Sequence, residues 1–298
     1  MAMKKRFEDA TFDILNYIFM ICIVFITLYP FYYVMVLSFN EGLDASRGGV
    51  FFWPRKFTLE NYKVILSENK WLNSFFITVA RTAVGTFSGV LFTSMVAFGL
   101  SQRRLLFRKF YIVFTIIAMY FYRGLIPYYI LLKELRLINS FLVYIVPQML
   151  NIFFALVMIS FFREIPEELQ ESAAIDGAND AVIFFKIILP VSVPVLAAVS
   201  LFQAVWHWNE WQDAAFFVRE ARLRTMSYFM MEVINKSMVS KMARGGLSEQ
   251  AALGAATTST SQSVQMTSII IAIAPIIMVY PFLQKYFIKG IMIGSIKG

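Results

Sequence analysis

Arg123 is the residue whose chemistry stands out, because it is the only charged residue in the apolar run from Phe110 to Leu132. A guanidinium inside such a run is costly unless it faces water or an opposite charge. It is well suited to a carboxylate, to which it donates two parallel hydrogen bonds. Two interpretations stay open: Arg123 binds an acidic ligand beside Tyr120 and Tyr122, or it forms an ion pair with a carboxylate of a partner subunit.

A second chemical feature is segment 163–190, which is typical of two short helices joined by a turn. Gly177 is suited to end the first helix, and Asn179 or Asp180 to cap the second, which runs to Pro190. The turn also carries three small side chains, Ala173, Ala174 and Ala178. They predict a surface against which another protein packs closely.

Transmembrane helices are the elements that must position these residues. The chain has 298 residues, of which 59% are hydrophobic and 15% charged, whereas soluble domains carry roughly a quarter charged residues. Uncharged runs such as Ile14 to Asn40 exceed the roughly 20 residues that a bilayer span needs. We predict an all-α membrane protein whose six spans cover approximately 14–38, 72–100, 110–132, 138–161, 187–206 and 267–288.

Charge in the short connecting segments predicts the orientation. The ten-residue loop after the second span carries four basic residues, Arg103, Arg104, Arg108 and Lys109, and both termini are basic as well. The positive-inside rule therefore places this side and both termini in the cytoplasm. The long loops 39–71 and 207–266 then lie outside, and residues 1–298 form a single transmembrane domain.

Several polar residues near the outer side have local interpretations. Arg81 is predicted to extend its guanidinium to the lipid headgroups. His207, the only histidine, has no second ligand for a metal and is assigned, together with Trp206, to the membrane–water interface. Asn209 and Glu210 are predicted to contact the substrate or an extracytoplasmic protein.

Other function classes are less consistent with the sequence. An ion-coupled secondary carrier, the main alternative, needs acidic or histidine residues within its spans, and none of the six predicted spans contains Asp or Glu. The sequence has no P-loop, so this chain is not expected to hydrolyse ATP itself. Paired carboxylates and metal-ligand clusters at one membrane depth are not evident either, which argues against an enzyme.

The loop motif resembles a known family. Glu171-Ser172-Ala173-Ala174-Ile175-Asp176-Gly177-Ala178, followed by a Leu-Pro at 189–190, is similar to the EAA loop of ABC importer permeases, in the form found in maltose-type carbohydrate importers. Gly124-Leu125-Ile126-Pro127, Trp208-Asn209-Glu210 and the ending from Gln284 to Gly298 extend the resemblance over most of the chain. Ser172 departs from the family, which usually has Ala there.

The resemblance implies a type I importer permease fold and a set of partners. These are a second permease subunit, a dimer of cytosolic ATPases that holds ATP and Mg, an extracytoplasmic solute-binding protein and an oligosaccharide, with no nucleic acid and no cofactor on this chain. Glu171, Ala174, Asp176 and Gly177 would belong to the element that couples to the ATPases. The implied location is the bacterial inner membrane.

The resemblance also sharpens the hypothesis for Arg123. Relatives usually read Gly-Gly-Leu-Ile-Pro in this neighbourhood, so Arg123 replaces a glycine. Because alginate-type importers are among the relatives, we expect an acidic oligosaccharide such as a uronate fragment as the substrate.

Overall fold

The computed structural model describes residues 2–67, 69–121, 124–244, 260 and 262–278, and side chains from Phe12 onward within most of these ranges. The described residues are helical, apart from connecting segments and one isolated bridge between Asn40 and Phe57. The helices are α1 Ala2–Ser38, α2 Gly42–Ser46, α3 Glu60–Leu66, α4 Asn69–Ser101, α5 Arg108–Tyr120, α6 Leu125–Glu134, α7 Ile152–Glu164, α8 Glu168–Ile175, α9 Asp180–Val191, α10 Val193–Asn209, α11 Gln212–Phe217, α12 Met226–Arg244 and α13 Gln262–Met278.

The chain divides into two compact units. The first comprises Met1–Glu68 and Glu232–Ala274, and the second comprises Asn69–Met231 and Pro275–Gly298. All of the residues predicted to act in coupling or in the substrate pathway belong to the second unit.

Within the described residues, two helices are long and apolar enough to cross a bilayer alone. They are Phe12–Ser38, which is most of α1, and Lys70–Ser101 in α4, and they match the first two predicted spans. Up to five spans result if each of three broken helix pairs is one span, while α13 is a shorter apolar helix. The predicted sixth span, 267–288, ends outside the described residues, and the tail lies outside them altogether.

The fourth predicted span is a broken helix pair in the structure. Its first part, Phe141–Gln148, consists of 3-10 turns and is bent by 44° from α7. Thr93 of α4 supports the break, because its hydroxyl donates to Met149 O at 3.0 Å and accepts from Asn151 N at 3.2 Å. Such breaks are tolerated at membrane depth where a neighbouring helix satisfies the freed backbone groups.

The fifth predicted span has a sharper change of direction. Helix α9, which contains a π-helical turn at Phe184–Ile188, is bent by 82° from α10. The bend lies at Ser192, between Pro190 and Pro194, where proline removes backbone donors from the helix. Helix α10 continues from Val193 after the bend and ends at Asn209.

Helix α4 is the centre of the second unit and packs against α7 and α10. Gly85 and Gly89 permit the approach of α10: a methyl group at Gly85 would lie 2.5 Å from His207 Cε1, and one at Gly89 would overlap Gln203 Nε2. Small residues four apart are a common device for close contact between membrane helices. The placement of His207 at the interface was therefore wrong, since its side chain is buried between two helices.

The first unit is organised around buried amides and hydroxyls. Asn61 Nδ2 donates to the carbonyls of Ser38 and Asn40, and Ser263 Oγ in α13 donates to Asn61 Oδ1 at 2.9 Å. The contacts fix the turn after α1 against α3 and α13. Polar groups that are buried and fully paired in this way specify one arrangement of the chain.

Candidate functional site

The predicted helix-turn-helix of segment 163–190 is present. Helix α8 ends at Ile175, where Gly177 N donates to Ala174 O and Ala178 N donates to Ala173 O. Gly177 has a φ of +83°, the left-handed conformation that glycine adopts without strain. Asn179 Oδ1 then accepts from Val182 N at 2.9 Å and caps α9. The predicted stop and cap are therefore confirmed.

Three side chains from the segment after α4 hold the two helices in place. Arg103 Nε lies 2.6 Å from Glu167 Oε1 at the start of α8, and Arg104 pairs with Asp180 at the start of α9. Gln102 also donates to Gln170 Oε1 at 3.2 Å. Each exposed ion pair alone is worth about 1 kcal/mol or less. Together they fix the direction of both helix starts relative to the end of α4.

The predicted small-residue surface needs correction. Ala173 and Ala178 pack against the protein's own apolar cluster, which includes Phe162, Ile183 and Phe184, and so they face inward. The outermost apolar side chain of the turn is instead Ile175, which is 87% exposed. Glu171, Ala174 and Asp176 are also exposed.

The turn at the end of α8 joins an exposed surface to the core of the second unit. It presents an apolar side chain, two carboxylates and a glycine turn on a short helix, and the apolar cluster beneath it includes Ala97 and Phe98 of α4 and Val199 of α10. Helix α8 therefore packs, through this cluster, on the two helices at the centre of this unit.

The predicted pathway residues are not gathered at one described site. Tyr122 and Arg123 lie outside the described residues, and Tyr120 is an exposed residue at the end of α5. Asn209 Nδ2 donates to Val205 O, and the Glu210 carboxylate accepts from Gln212 N, so both side chains cap local structure at the end of α10. Their contact with a substrate stays a prediction.

The prediction that Arg81 reaches the headgroups was wrong. Its side chain is 0% exposed, and its Nη2 lies 2.6 Å from Asp213 Oδ2, while Nη1 donates to Glu210 O at 2.7 Å. The guanidinium carbon lies 4.6 Å from the ring centroid of Tyr144 and 5.6 Å from that of Trp206. Arg81 therefore fastens the segment after α10 to α4.

Further contacts order the segment from Glu210 to Met226. Tyr144 Oη donates to Leu223 O at 2.8 Å, and Met226 N donates to Thr78 Oγ1 in α4 at 2.8 Å. Asn139 Nδ2 donates to Glu220 Oε1. The pKa of Glu220 is lowered, chiefly by a hydrogen bond from Arg222 and also by the positive charge of Arg222 and a hydrogen bond from Asn139, while desolvation opposes these effects. This carboxylate is therefore ionised at neutral pH.

Sequence reasoning missed the Arg81–Asp213 pair and the Arg103 and Arg104 contacts. A signal existed for the first, because a charge within a span requires a partner and the only acidic residues available to it lie in loops. Basic and acidic residues clustered in two loops on the same side were the signal for the second. Neither signal identifies which pairs form.

Comparisons with known proteins place this geometry in a family, although no family model matches the chain. The polygalacturonan/rhamnogalacturonan transport system permease protein YtcP of Bacillus subtilis (strain 168) is 34% identical over 98% of this chain and 100% of its own length. Protein LplC of the same organism is 34% identical over 96% of this chain and 95% of its own length.

A solved structure agrees with these relatives. It is a bacterial ABC transporter involved in the import of the acidic polysaccharide alginate, and one of its chains matches with a TM-score of 0.82 and 26% identity, covering 94% of this chain and 98% of that chain. The fold and the sequence similarity therefore agree over nearly the whole length. Together with the EAA-like loop on α8, they show that this chain belongs to the permease subunits of carbohydrate ABC importers.

Proposed function

We propose that this chain is one of two permease subunits of a binding-protein-dependent importer that moves oligosaccharides across the bacterial inner membrane. It crosses the membrane six times as a single domain over residues 1–298, with both termini in the cytoplasm. A different permease subunit completes the pathway, and an extracytoplasmic solute-binding protein delivers the sugar. Family membership argues against the ion-coupled carrier as an alternative.

The observation that carries this proposal is the exposed loop of α8 and α9, held by the protein's own arginines. A cytosolic ATPase dimer receives this loop, with Ile175 as its apolar contact and Glu171, Ala174 and Asp176 around it. ATP and Mg belong to the ATPase subunits, so this chain catalyses no reaction and needs no cofactor. Closure of the ATPases moves α8 and, through the apolar cluster beneath it, α4 and α10.

Ile175 provides a direct test of this coupling. Replacing Ile175 by Glu puts a charge at the centre of the proposed contact, and we expect loss of co-purifying ATPase and of ATP-driven uptake. Ile175→Leu, which keeps the apolar volume, is the matched control and should behave like the wild type. ATPase association that is equally strong in the Glu variant would reject this loop as the docking element.

An acidic substrate is the finer part of the proposal. One relative transports polygalacturonan and rhamnogalacturonan, and the solved importer takes the acidic polysaccharide alginate. Arg123, in the apolar run 110–132 of this chain, supplies a fixed positive charge suited to a carboxylate. We assign it to the pathway beside Tyr120 and Tyr122, whose rings suit the apolar faces of a sugar.

Arg123→Ala tests the substrate class. Loss of one charge-assisted hydrogen bond, about 1.5–3 kcal/mol, should weaken the apparent affinity for an acidic oligosaccharide by about tenfold to a hundredfold in reconstituted complexes. Arg47→Ala removes the same charge at an exposed position in the other unit and serves as the control. An importer stimulated only by neutral sugars would reject the acidic substrate, and loss of assembly without substrate dependence would assign Arg123 to the partner subunit.

A further inference from the structure

A cleft of about 280 Å³ lies behind the coupling helix α8. One wall is formed by the end of α4 and the start of α5, and the other by the end of α7 and the face of α8 that carries Gln170, Glu171 and Ala174. Four arginines line it, Arg103, Arg104, Arg108 and Arg163, against two carboxylates, Glu167 and Glu171. The cleft therefore carries an excess of positive charge.

Two of the four arginines form ion pairs within the described residues, and two do not. Arg103 pairs with Glu167 and Arg104 pairs with Asp180. Arg108 donates through Nε to the carbonyl of Leu100, which carries no charge, and no carboxylate of the described residues pairs with it or with Arg163. Arg108 and Arg163 both line the cleft, so an anion bound there would lie between two guanidinium groups.

The surroundings of Arg108 indicate where such an anion comes from. Leu106, Phe107 and Phe110 are large apolar side chains with most of their surface exposed. They flank Arg108 at the point where the apolar helix α5 begins, so the arginine lies where a membrane helix meets the aqueous side. Basic pockets at this level, on the cytoplasmic side, favour the headgroups of anionic lipids.

We propose that this cleft binds a phosphate group, supplied by an anionic phospholipid, between Arg108 and Arg163. The acyl chains lie along Phe107 and Phe110. The bound headgroup stabilises the end of α4 from which Arg103 and Arg104 hold the coupling loop. This assignment rests on the proposed function only in placing the loop on the cytoplasmic side.

Lipid retention by the assembled importer tests the proposal. The complex is reconstituted in nanodiscs of phosphatidylcholine alone or mixed with phosphatidylglycerol, and retained lipid is counted by native mass spectrometry. In the double variant Arg108→Gln, Arg163→Gln we expect retention to weaken roughly fivefold for each arginine, or about 25-fold together. Lys109→Gln with Lys133→Gln removes the same charge from exposed positions outside the cleft and should retain lipid like the wild type.

Two further arms identify the ligand. Inorganic phosphate titrated into neutral nanodiscs should bind weakly; saturation of the wild type by phosphate, without retention of phosphatidylglycerol, would overturn the lipid source. Arg108→Lys with Arg163→Lys keeps the charge, so it should keep most of the binding and separates loss of the site from misfolding.

The proposal fails if the Gln pair and the Lys109 and Lys133 control retain lipid equally. It also fails if only the complex without its ATPases retains lipid, because the cleft would then be part of the ATPase interface. Retention is measured without transport, so a failure here is distinct from a failure of Ile175→Glu to uncouple the importer.

Discussion

Replacing Arg81 by Met should destabilise the second unit more than any exposed charge substitution on this chain. Arg81 has no exposed side-chain surface, while the side chain of its partner Asp213 is 11% exposed. Removing one member of a buried ion pair is typically destabilising by about 3–5 kcal/mol, because the other charge has lost its counterion in a poorly solvated site. The Arg81 contact to Glu210 O is lost at the same time.

The matched control is Arg103→Met, which breaks an ion pair of the same 2.6 Å length with Glu167. There the two side chains are 76% and 46% exposed, so water replaces the contact and the expected loss is below about 1 kcal/mol. The double variant Arg81→Met, Asp213→Leu should recover much of the stability lost by Arg81→Met alone, since it leaves no charge from this pair.

Thermal unfolding of the purified importer in nanodiscs measures the effect. At about 2–4 °C per kcal/mol for a domain of this size, a loss of about 3–5 kcal/mol in Arg81→Met should lower the Tm by roughly 6–20 °C. Hydrogen exchange should report faster opening of residues 210–226, which Arg81 fastens to α4. Equal losses for Arg81→Met and Arg103→Met, or strictly additive effects of Arg81→Met and Asp213→Leu, would refute the reasoning.

Three further predictions concern local geometry. Gly177→Leu should uncouple ATP hydrolysis from uptake, because the left-handed conformation costs a residue with a Cβ roughly 1–2 kcal/mol. Gly177→Asn should retain coupling, because asparagine tolerates that conformation. Equal uptake by the two variants would contradict this prediction. Gly89→Ala should lower the free energy of unfolding by about 1–3 kcal/mol, because the new methyl group displaces the buried Gln203 amide, whereas Gly99→Ala, with open space around it, should not. Asp44 has a pKa held below its ordinary value of 3.8, chiefly by a hydrogen bond from Asn40 and also by Arg55, with desolvation opposing both. The ionised Asp44 therefore contributes fully to the stability of the folded state at neutral pH, and this contribution is lost as the pH falls below 3.8. Hydrogen exchange of residues 40–48 should show this loss in the wild type but not in Asp44→Asn.

Much of the coupling loop is predictable from the sequence because its interactions are local. The Gly177 turn closes on carbonyls three and five residues away, and the Asn179 cap reaches a backbone N–H three residues on. The two uninterrupted spans, α1 and α4, follow equally well from apolar composition. The inward orientation of Ala173 and Ala178 could not be predicted from the sequence, because the residue types do not show which neighbour these small side chains contact.

By itself, the sequence determined that the chain is a helical membrane protein with an EAA-like loop, since hydropathy and capping act over a few residues or along one helix. Only the tertiary structure decided that Arg81 pairs with Asp213, 132 residues away, and that His207 is buried against Gly85 of α4. The break at 149–151 belongs to the same class, because Thr93 of another helix pairs with the backbone groups on both sides of it. Each such contact depends on which distant segments the fold brings together, and the energy of the pair exists only after they meet.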